Sequence, residues 1–133
     1  MVMWGQILFG LLVTSSVVGT YIYDFDRHHI FNASWSPHAR FHAACFAILS
    51  MGVHLIAGVL IFWLPFGNKG TFLISSALLA MNGGTLLIAS LVNGTSTNAG
   101  PHEKVWKQQP ISIWMVGVYF VVIAAGLLLG LSN

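Results

Sequence analysis

Side chains that could do chemistry are concentrated between Asp24 and His42, in the segment DFDRHHIFNASWSPHARFH. His38 and His42 are four residues apart, so on a helix their imidazoles share one face. That spacing suits two nitrogen ligands on one divalent metal ion. Further ligands are available in the same segment and in a second polar segment: Asp24, Asp26, His28, His29, His102 and Glu103. The cofactor is open at this point, and a divalent metal is one prediction.

The same segment also predicts a site that needs no metal. A histidine beside a carboxylate can act as general acid or base near neutral pH, and an arginine can hold an anionic or carbonyl oxygen. We therefore predict an acid–base site with these catalytic residues: His38, His42, Asp24, Asp26 and Arg40. Asn32 and Trp35 are the predicted substrate contacts in this segment. The alternative is structural, with Asp24, Asp26, Arg27 and Arg40 pairing to close the loop.

A second group of polar residues lies inside long apolar segments, near the middle of each. His54, Asn82 and Tyr119 fall at similar depths, as do Ser15 and Ser16. Polar side chains in hydrocarbon face the interior of a bundle and pair there. We predict one shared pocket in which His54, Asn82 and Tyr119 bind substrate. The alternative is a hydrogen bond from His54 to Asn82 or to a serine that only fixes helix packing.

Four long apolar segments must position these groups. The chain has 133 residues, a mean hydropathy of +0.81 and 6% charged residues, against about a quarter in soluble domains. A membrane-spanning helix needs about 20 apolar residues, and the segments that reach this length are 4–23, 39–64, 71–92 and 111–131. No segment alternates polar with apolar residues, which argues against a barrel. The predicted fold is all-α, an integral membrane four-helix transmembrane bundle that forms a single domain over 1–133.

The basic residues predict the orientation of this bundle. Lys69 lies at one end, and the other four lie near the long connections 24–38 and 93–110: Arg27, Arg40, Lys104 and Lys107. By the positive-inside rule, both long loops are cytoplasmic and both termini are outside. Glycosylation of the Asn-x-Ser/Thr sequences at Asn32 or Asn93 would invert this topology.

Small residues indicate where helices approach one another. Gly83-Gly84 and the pair Gly126 and Gly130 suit close packing, either within the chain or in a homo-oligomer. The single cysteine, Cys45, excludes an internal disulfide, and we expect it to be a small core residue and not a nucleophile. A net charge of +2 from few residues implies no nucleic-acid partner.

One stretch resembles a known family. The sequence from Asn32 to His42, NASWSPHARFH, is similar to an uncharacterised family of small four-helix membrane proteins with an N-x-x-W-x-P-H-A-R-F-H motif. The resemblance covers the first loop and the start of the second helix closely, and the four-helix layout loosely. It implies no activity. It implies that the following residues belong to one unit: Asp24, Asn32, Trp35, His38, Arg40 and His42.

Three functions follow from these features. The first is a membrane-embedded enzyme, an isomerase, cyclase or hydratase, that performs acid–base chemistry on a lipophilic small molecule entering from the membrane lipids. The second is a noncatalytic subunit or binding protein that docks a membrane-protein partner through its polar loops. The third is a transporter or channel, which would require an oligomer because four helices leave little room for a path.

Overall fold

The computed structural model describes residues 2–63, 69–89, 91–93, 105–106 and 109–132. Within them lie four helices, and we number them α1 to α4: Val2–Asp24, Pro37–Phe62, Lys69–Ala89 and Ile111–Leu131. Two short strands precede α4, with β1 (Val105–Trp106) pairing antiparallel to β2 (Gln109–Pro110). The predicted all-α, four-helix architecture is confirmed.

The start of α2 follows directly from its sequence. The Ser36 hydroxyl accepts a hydrogen bond from the backbone N–H of Ala39 at 3.1 Å, and Pro37 occupies the first helical position. A serine cap satisfies an N–H that has no partner within the helix, and proline lacks an N–H that would need one. These two residues fix where the polar loop ends and where the helix that carries three of the six histidines begins.

Several helix ends differ from the predicted ones by a few residues. The helix α2 begins at Pro37 and not at residue 39, and α3 begins at Lys69 and ends at Ala89 and not at 71 and 92. Lys69 and Gly70, which fall between the predicted segments 39–64 and 71–92, are the first residues of α3. The reason is that helix ends are set by capping hydrogen bonds, whereas hydropathy marks only the apolar part of a helix.

Each helix packs antiparallel against two neighbours, so that α1, α2, α3 and α4 form a closed ring. Along α2 and α3 the contacts run in opposite directions, from Ser75 beside Ala57 to Asn82 beside Ser50. The same reversal joins α3 to α4, where Gly83 lies at Tyr119 and Gly130 lies at Phe72. The polar end of the bundle is therefore where α1 and α3 end and where α2 and α4 begin.

The end of the bundle near the termini is tightly filled. Phe9 and Phe72 are fully buried, with ring centroids 5.8 Å apart, and Ile61 packs in the same cluster. A methyl group on Gly126 would meet the Phe9 ring at 3.0 Å, and one on Gly130 would overlap Phe72. Both glycines are thus used for packing within the chain, where they admit two aromatic rings.

The outer surface of the bundle is apolar, and several polar side chains are buried inside it. Val121 and Leu128 are 67% and 69% exposed, whereas buried positions include Ser50, His54, Thr71, Ser75 and Ser76. In water this arrangement would be unfavourable, but in hydrocarbon it covers the polar groups and presents apolar side chains to lipid. All four helices are long and apolar enough to cross a membrane, which indicates a multi-pass membrane protein.

The position of Cys45 was predicted wrongly, because this residue is exposed and not in the core. The buried face of α2 carries residues spaced three or four apart: Ala47, Ser50, His54, Ala57 and Ile61. Cys45 lies off that face, and hydropathy alone does not separate the inner from the outer side of a helix whose whole circumference is apolar.

Candidate functional site

A cavity of about 700 Å³ occupies the polar end of the bundle interior. All four helices contribute to its wall, which is mainly apolar with a few polar groups. The polar residues that line it are Ser15, Ser16, Thr20, Tyr23, Asp24, Ser50, His54, Asn82 and Tyr119. Because the opposite end of the bundle is filled by Phe9 and Phe72, the cavity is a pocket with a packed floor.

His54 is the titratable side chain deepest in this pocket, with only 2% of its surface exposed. Its Nδ1 lies 2.7 Å from the backbone oxygen of Ser50, one helical turn earlier. A carbonyl oxygen can only accept, so Nδ1–H donates and, in the neutral imidazole, Nε2 carries a lone pair. Nε2 lies 3.0 Å from the Tyr119 hydroxyl oxygen.

Tyr119 reaches His54 from α4 across the surface of α3. Its hydroxyl donates to the backbone oxygen of Leu79 at 3.1 Å, and its ring lies edge-on to the His54 ring with centroids 5.9 Å apart. Gly83 makes this passage possible, because a methyl group there would stand 2.7 Å from the ring of Tyr119. Because Gly83 has no side chain, the ring of Tyr119 can pass over α3 and place its hydroxyl group next to His54.

Asn82 joins the same network through a serine. Its Nδ2 donates to the Ser50 hydroxyl oxygen at 3.0 Å, so α2 and α3 are bridged beside His54. The other amide atom of Asn82 has no hydrogen-bond partner in the described part of the chain. His54, Asn82 and Tyr119, predicted to share one pocket, lie around the same cavity, and Ser50 connects His54 to Asn82.

The helix α1 supplies the opposite wall, and sequence reasoning missed part of it. Thr20 and Tyr23 line the cavity between Ser16 and Asp24, as does Gly19. Their spacing of three and four residues places Ser16, Thr20 and Tyr23 on one face of the helix. The repeat of hydroxyl groups along this apolar segment could have identified this wall from the sequence. Ser50 could have been found in a similar way, because it precedes His54 by one helical turn.

Asp26 and Asn32 are used in the first loop and do not line the cavity. The Asp26 Oδ1 accepts hydrogen bonds from the backbone N–H groups of His28 and His29, both at 2.9 Å, and lies 3.0 Å from the His29 Nδ1. Asn32 donates to the backbone oxygen of His28 and accepts from Ser34. Both side chains thus hold successive turns of the loop.

The contacts of Asp26 determine its acidity. Desolvation raises the pKa of Asp26, but hydrogen bonds from the side chain of His29 and from the backbone of His28 and His29 act in the opposite direction, as does the charge of His29. The result is a pKa below the usual 3.8, so Asp26 is a carboxylate at neutral pH. Within the described part of the loop, the side chain that contacts this carboxylate is the His29 imidazole and not an arginine.

His38 and His42 form a pair of their own on the first turns of α2. Their Nε2 atoms are 3.0 Å apart, and both residues are exposed. Among the residues that the structure describes, no group of three or more His, Cys, Asp or Glu side chains could hold a metal ion. The pair supplies two nitrogen ligands, and His29 is occupied with Asp26. His102 and Glu103, the predicted ligands from the second segment, lie outside the described residues.

The remaining predicted site residues, Trp35 and Arg40, do not line the cavity. Trp35 is exposed, with its ring 6.3 Å from that of His29. The Nε atom of Arg40 is buried and has no hydrogen-bond partner within the described segments. Of the ten predicted site residues, the four that line the cavity are Asp24, His54, Asn82 and Tyr119, and the six that do not are Asp26, Asn32, Trp35, His38, Arg40 and His42.

These features define a multi-pass four-helix membrane protein with an interior pocket at its polar end. The family of unknown function DUF6640 matches residues 10–123, and the chain belongs to this family. The match includes the loop, the start of α2 and all the described residues around the cavity. No curated protein and no solved structure matches the chain.

Proposed function

We propose that this protein is a membrane-embedded enzyme that performs acid–base chemistry on a lipophilic small molecule. The reaction class is isomerisation, cyclisation or hydration. The observation that carries the proposal is a cavity of about 700 Å³ with apolar walls and His54 at its inner end. Pockets for small molecules have about this size and composition, with a small number of polar groups that orient the ligand.

The pair of His54 and Tyr119 supports a specific division of roles. The lone pair on the His54 Nε2 accepts a proton from the substrate, and the Tyr119 hydroxyl rotates its single proton from the Leu79 oxygen to a substrate oxygen on which negative charge develops. The imidazolium then returns the proton to another atom of the same substrate. The sequence of steps conserves atoms and electrons, so it requires no external oxidant or reductant.

The polar loop supports a role at the mouth of the pocket. Asp24 lines the cavity at the end of α1. The loop that follows carries Asp26, and the first turns of α2 carry the other predicted catalytic groups, His38, Arg40 and His42. Their catalytic roles, and the substrate contacts of Asn32 and Trp35, stay predictions. We further propose that this loop and the connection 93–110 face the cytoplasm, as the basic residues predict.

The test compares His54, inside the cavity, with His38 and His42 on the first turns of α2. Purified protein in lipid nanodiscs is incubated with a neutral lipid extract of its source membrane, and products of equal mass or of added water are detected by liquid chromatography–mass spectrometry. We expect His54→Ala to lower turnover at least a hundredfold, the usual contribution of a general base. If His38→Ala or His42→Ala alone abolishes turnover, the acid–base site lies at the loop and not in the cavity.

A binding protein is the second candidate, because the same cavity could hold a ligand without transforming it. The exposed His38–His42 pair and Trp35 favour this reading, since they lie where a partner could dock. An unmodified lipophilic molecule that copurifies with the protein, with no product formed by the wild type, would contradict the enzyme and favour the binding protein. A stoichiometric protein partner in native purification would identify a subunit.

A further inference from the structure

The wall of the cavity carries an acid without a matching base. Among the described residues that line the cavity, Asp24 is the one acidic side chain, and none is a lysine or an arginine. Asp24 is the last residue of α1 and is partly buried. A carboxylate beside an apolar wall is costly unless a cation or hydrogen-bond donors compensate its charge. The partners of this carboxylate therefore indicate what the cavity requires.

The Asp24 carboxylate has no such partner in the described part of the chain. It accepts no hydrogen bond and forms no ion pair there, although Arg27 and Arg40 lie in the same polar segment. The described charged groups that act on it through space are Asp26 and His29, and these two contact each other at 3.0 Å. The Asp24 oxygens are not among the described atoms that are buried without a partner, so a ligand in the cavity can reach them.

The inner end of the cavity differs, because its polar groups are partners for one another. His54 contacts the Tyr119 hydroxyl at 3.0 Å and the Ser50 backbone oxygen at 2.7 Å, and Asn82 donates to the Ser50 hydroxyl at 3.0 Å. The rest of the wall includes large apolar side chains: Leu12, Phe46, Leu86, Met115 and Val118. A charged group of a ligand is therefore matched at Asp24, and a hydrocarbon chain is matched along the wall.

Helix geometry gives the distance that such a chain must cover. Val13 on α1 lies beside Gly58 on α2, with 3.4 Å between Val13 and a methyl group placed at 58. Toward the polar end, Asp24 is eleven residues from Val13 and His54 is four residues from Gly58. At about 1.5 Å per residue, these steps are about 16 Å and about 6 Å. Asp24 and His54 are thus separated by about 10 Å along the bundle axis.

From this arrangement we infer that the ligand of the cavity is a lipophilic amine whose ammonium group donates to the Asp24 carboxylate and whose hydrocarbon chain extends inward to His54. The inference rests on the proposed function, because it assigns the ligand class of the same cavity. An aliphatic amine is charged at neutral pH, as lysine is with its pKa of about 10.4, and charge-assisted hydrogen bonds are the strong ones. Tyr23 and Trp114 line the same cavity, and aromatic rings attract a nearby ammonium group.

The experiment uses two probes that differ only in the polar group, decan-1-amine and decan-1-ol. Dissociation constants are measured at pH 7 by native mass spectrometry for the full-length protein in micelles of an uncharged detergent. Because each probe is compared between variants, its partition into the detergent cancels. We expect Asp24→Asn to weaken the binding of decan-1-amine about tenfold or more, the loss of a hydrogen bond to a charged group. The binding of decan-1-ol should change less than about twofold, because an alcohol needs no counter-charge.

Asp26→Asn is the matched control for charge. It removes the same charge two residues further along the chain, from a side chain that does not line the cavity. We expect it to change the affinity for decan-1-amine less than about twofold, since an exposed charge acts weakly through water. If Asp26→Asn weakens the amine as much as Asp24→Asn does, only the general charge of the loop attracts it, and the inference is wrong.

A second measurement locates the amine in the wild type, in case Asp24→Asn does not fold. A carbodiimide couples bound decan-1-amine to the nearest carboxylate as an amide, and peptide mass spectrometry identifies the modified residue. We expect the amide at Asp24 in clear excess over Asp26. Equal coupling at both residues, no binding of decan-1-amine by the wild type, or an unchanged affinity for it in Asp24→Asn would overturn the inference.

The results separate this inference from the proposed enzyme. Binding of decan-1-amine that requires Asp24, with no turnover of any uncharged or basic lipid, contradicts the enzyme and leaves the ligand class standing. Turnover of an uncharged lipid that requires His54 and is unaffected by Asp24→Asn contradicts the ligand class and leaves the enzyme standing.

Discussion

Asp26 and Asn32 act on the backbone of the loop that contains them. Their side-chain oxygens accept from nearby backbone N–H groups, at 2.9 Å for Asp26 and at 3.0 Å for Asn32. Aspartate and asparagine are common in turns because their short side chains can reach the backbone one to three residues ahead. These contacts account for both residues without a substrate, whereas His54 makes its contacts inside a cavity.

The acidity of Asp26 makes the order of the loop depend on pH. Because the pKa is below 3.8 in the folded protein, the stabilisation is fully present above pH 3.8 and is lost as the pH falls through the folded value. We expect Asp26→Ala to lower the hydrogen-exchange protection of the amides of His28 and His29 about fivefold at pH 6. The measurement is amide exchange by mass spectrometry, corrected for intrinsic rates.

Asp26→Asn is the matched control for this prediction. It retains an oxygen that can accept from the two amides and loses the charge, so its protection should exceed that of Asp26→Ala and should change less than that of the wild type as the pH falls from 6 to 2. Wild-type protection that stays constant over the same range would show that the carboxylate does not organise the loop.

At the scale of the element, the important feature of α3 is a pair of adjacent residues without side chains. The residue pair Gly83-Gly84 looks uniform in the sequence, but the two positions have different surroundings. Gly83 is buried against the ring of Tyr119, and Gly84 has no atom outside its own helix within reach of a new methyl group. The two glycines therefore make a matched pair on one helix.

We expect Gly83→Ala and Gly84→Ala to have opposite effects. The methyl group at 83 would force the Tyr119 ring away from His54, and such overpacking costs about 1–3 kcal/mol. The one at 84 meets no neighbour, so the higher helix propensity of alanine should stabilise by up to about 1 kcal/mol. Thermal unfolding in detergent measures both. If Gly83→Ala unfolds at the same temperature as Gly84→Ala, Tyr119 is not packed across α3 as described.

At the scale of the whole molecule, the two ends of the bundle differ. Aromatic rings and glycines fill the end near the termini, where Gly130 admits Phe72, and the cavity lies at the other end with the polar loop above it. The packed end closes the floor of the cavity, so the cavity does not continue along the bundle to the termini. This arrangement favours an enzyme or a binding protein over a channel within one chain.

The predicted orientation can be tested by cysteine labelling of intact cells. In a Cys45→Ser background, Arg27→Cys reports on the first loop, and Ser132→Cys reports on the C-terminus. If the loop is cytoplasmic, a membrane-impermeant maleimide should label Ser132→Cys in intact cells and Arg27→Cys only after permeabilisation. The reverse pattern would place the loop outside, where Asn32 would be available for glycosylation.

The fold could be predicted almost completely from the sequence. An apolar segment of about 20 residues has few structural alternatives to a membrane-spanning helix, because its backbone polar groups must form their hydrogen bonds within the helix when they lie in hydrocarbon. The start of α2 was also predictable, since Ser36 and Pro37 act locally. The depths of His54, Asn82 and Tyr119 followed from their positions in the four segments.

The site depended on tertiary structure at particular residues. His38 and His42 had the most suggestive spacing, yet their nitrogens face one another on an exposed surface away from the cavity. Ser50 and Thr20 resemble any other small polar residue in an apolar helix until the packing places them beside the pocket. Spacing along one helix shows which residues share a face, but only contacts between helices decide whether that face is turned to lipid or to the interior. For that reason the sequence determined the bundle and its polar end, and the tertiary structure decided that His54 meets Tyr119 there.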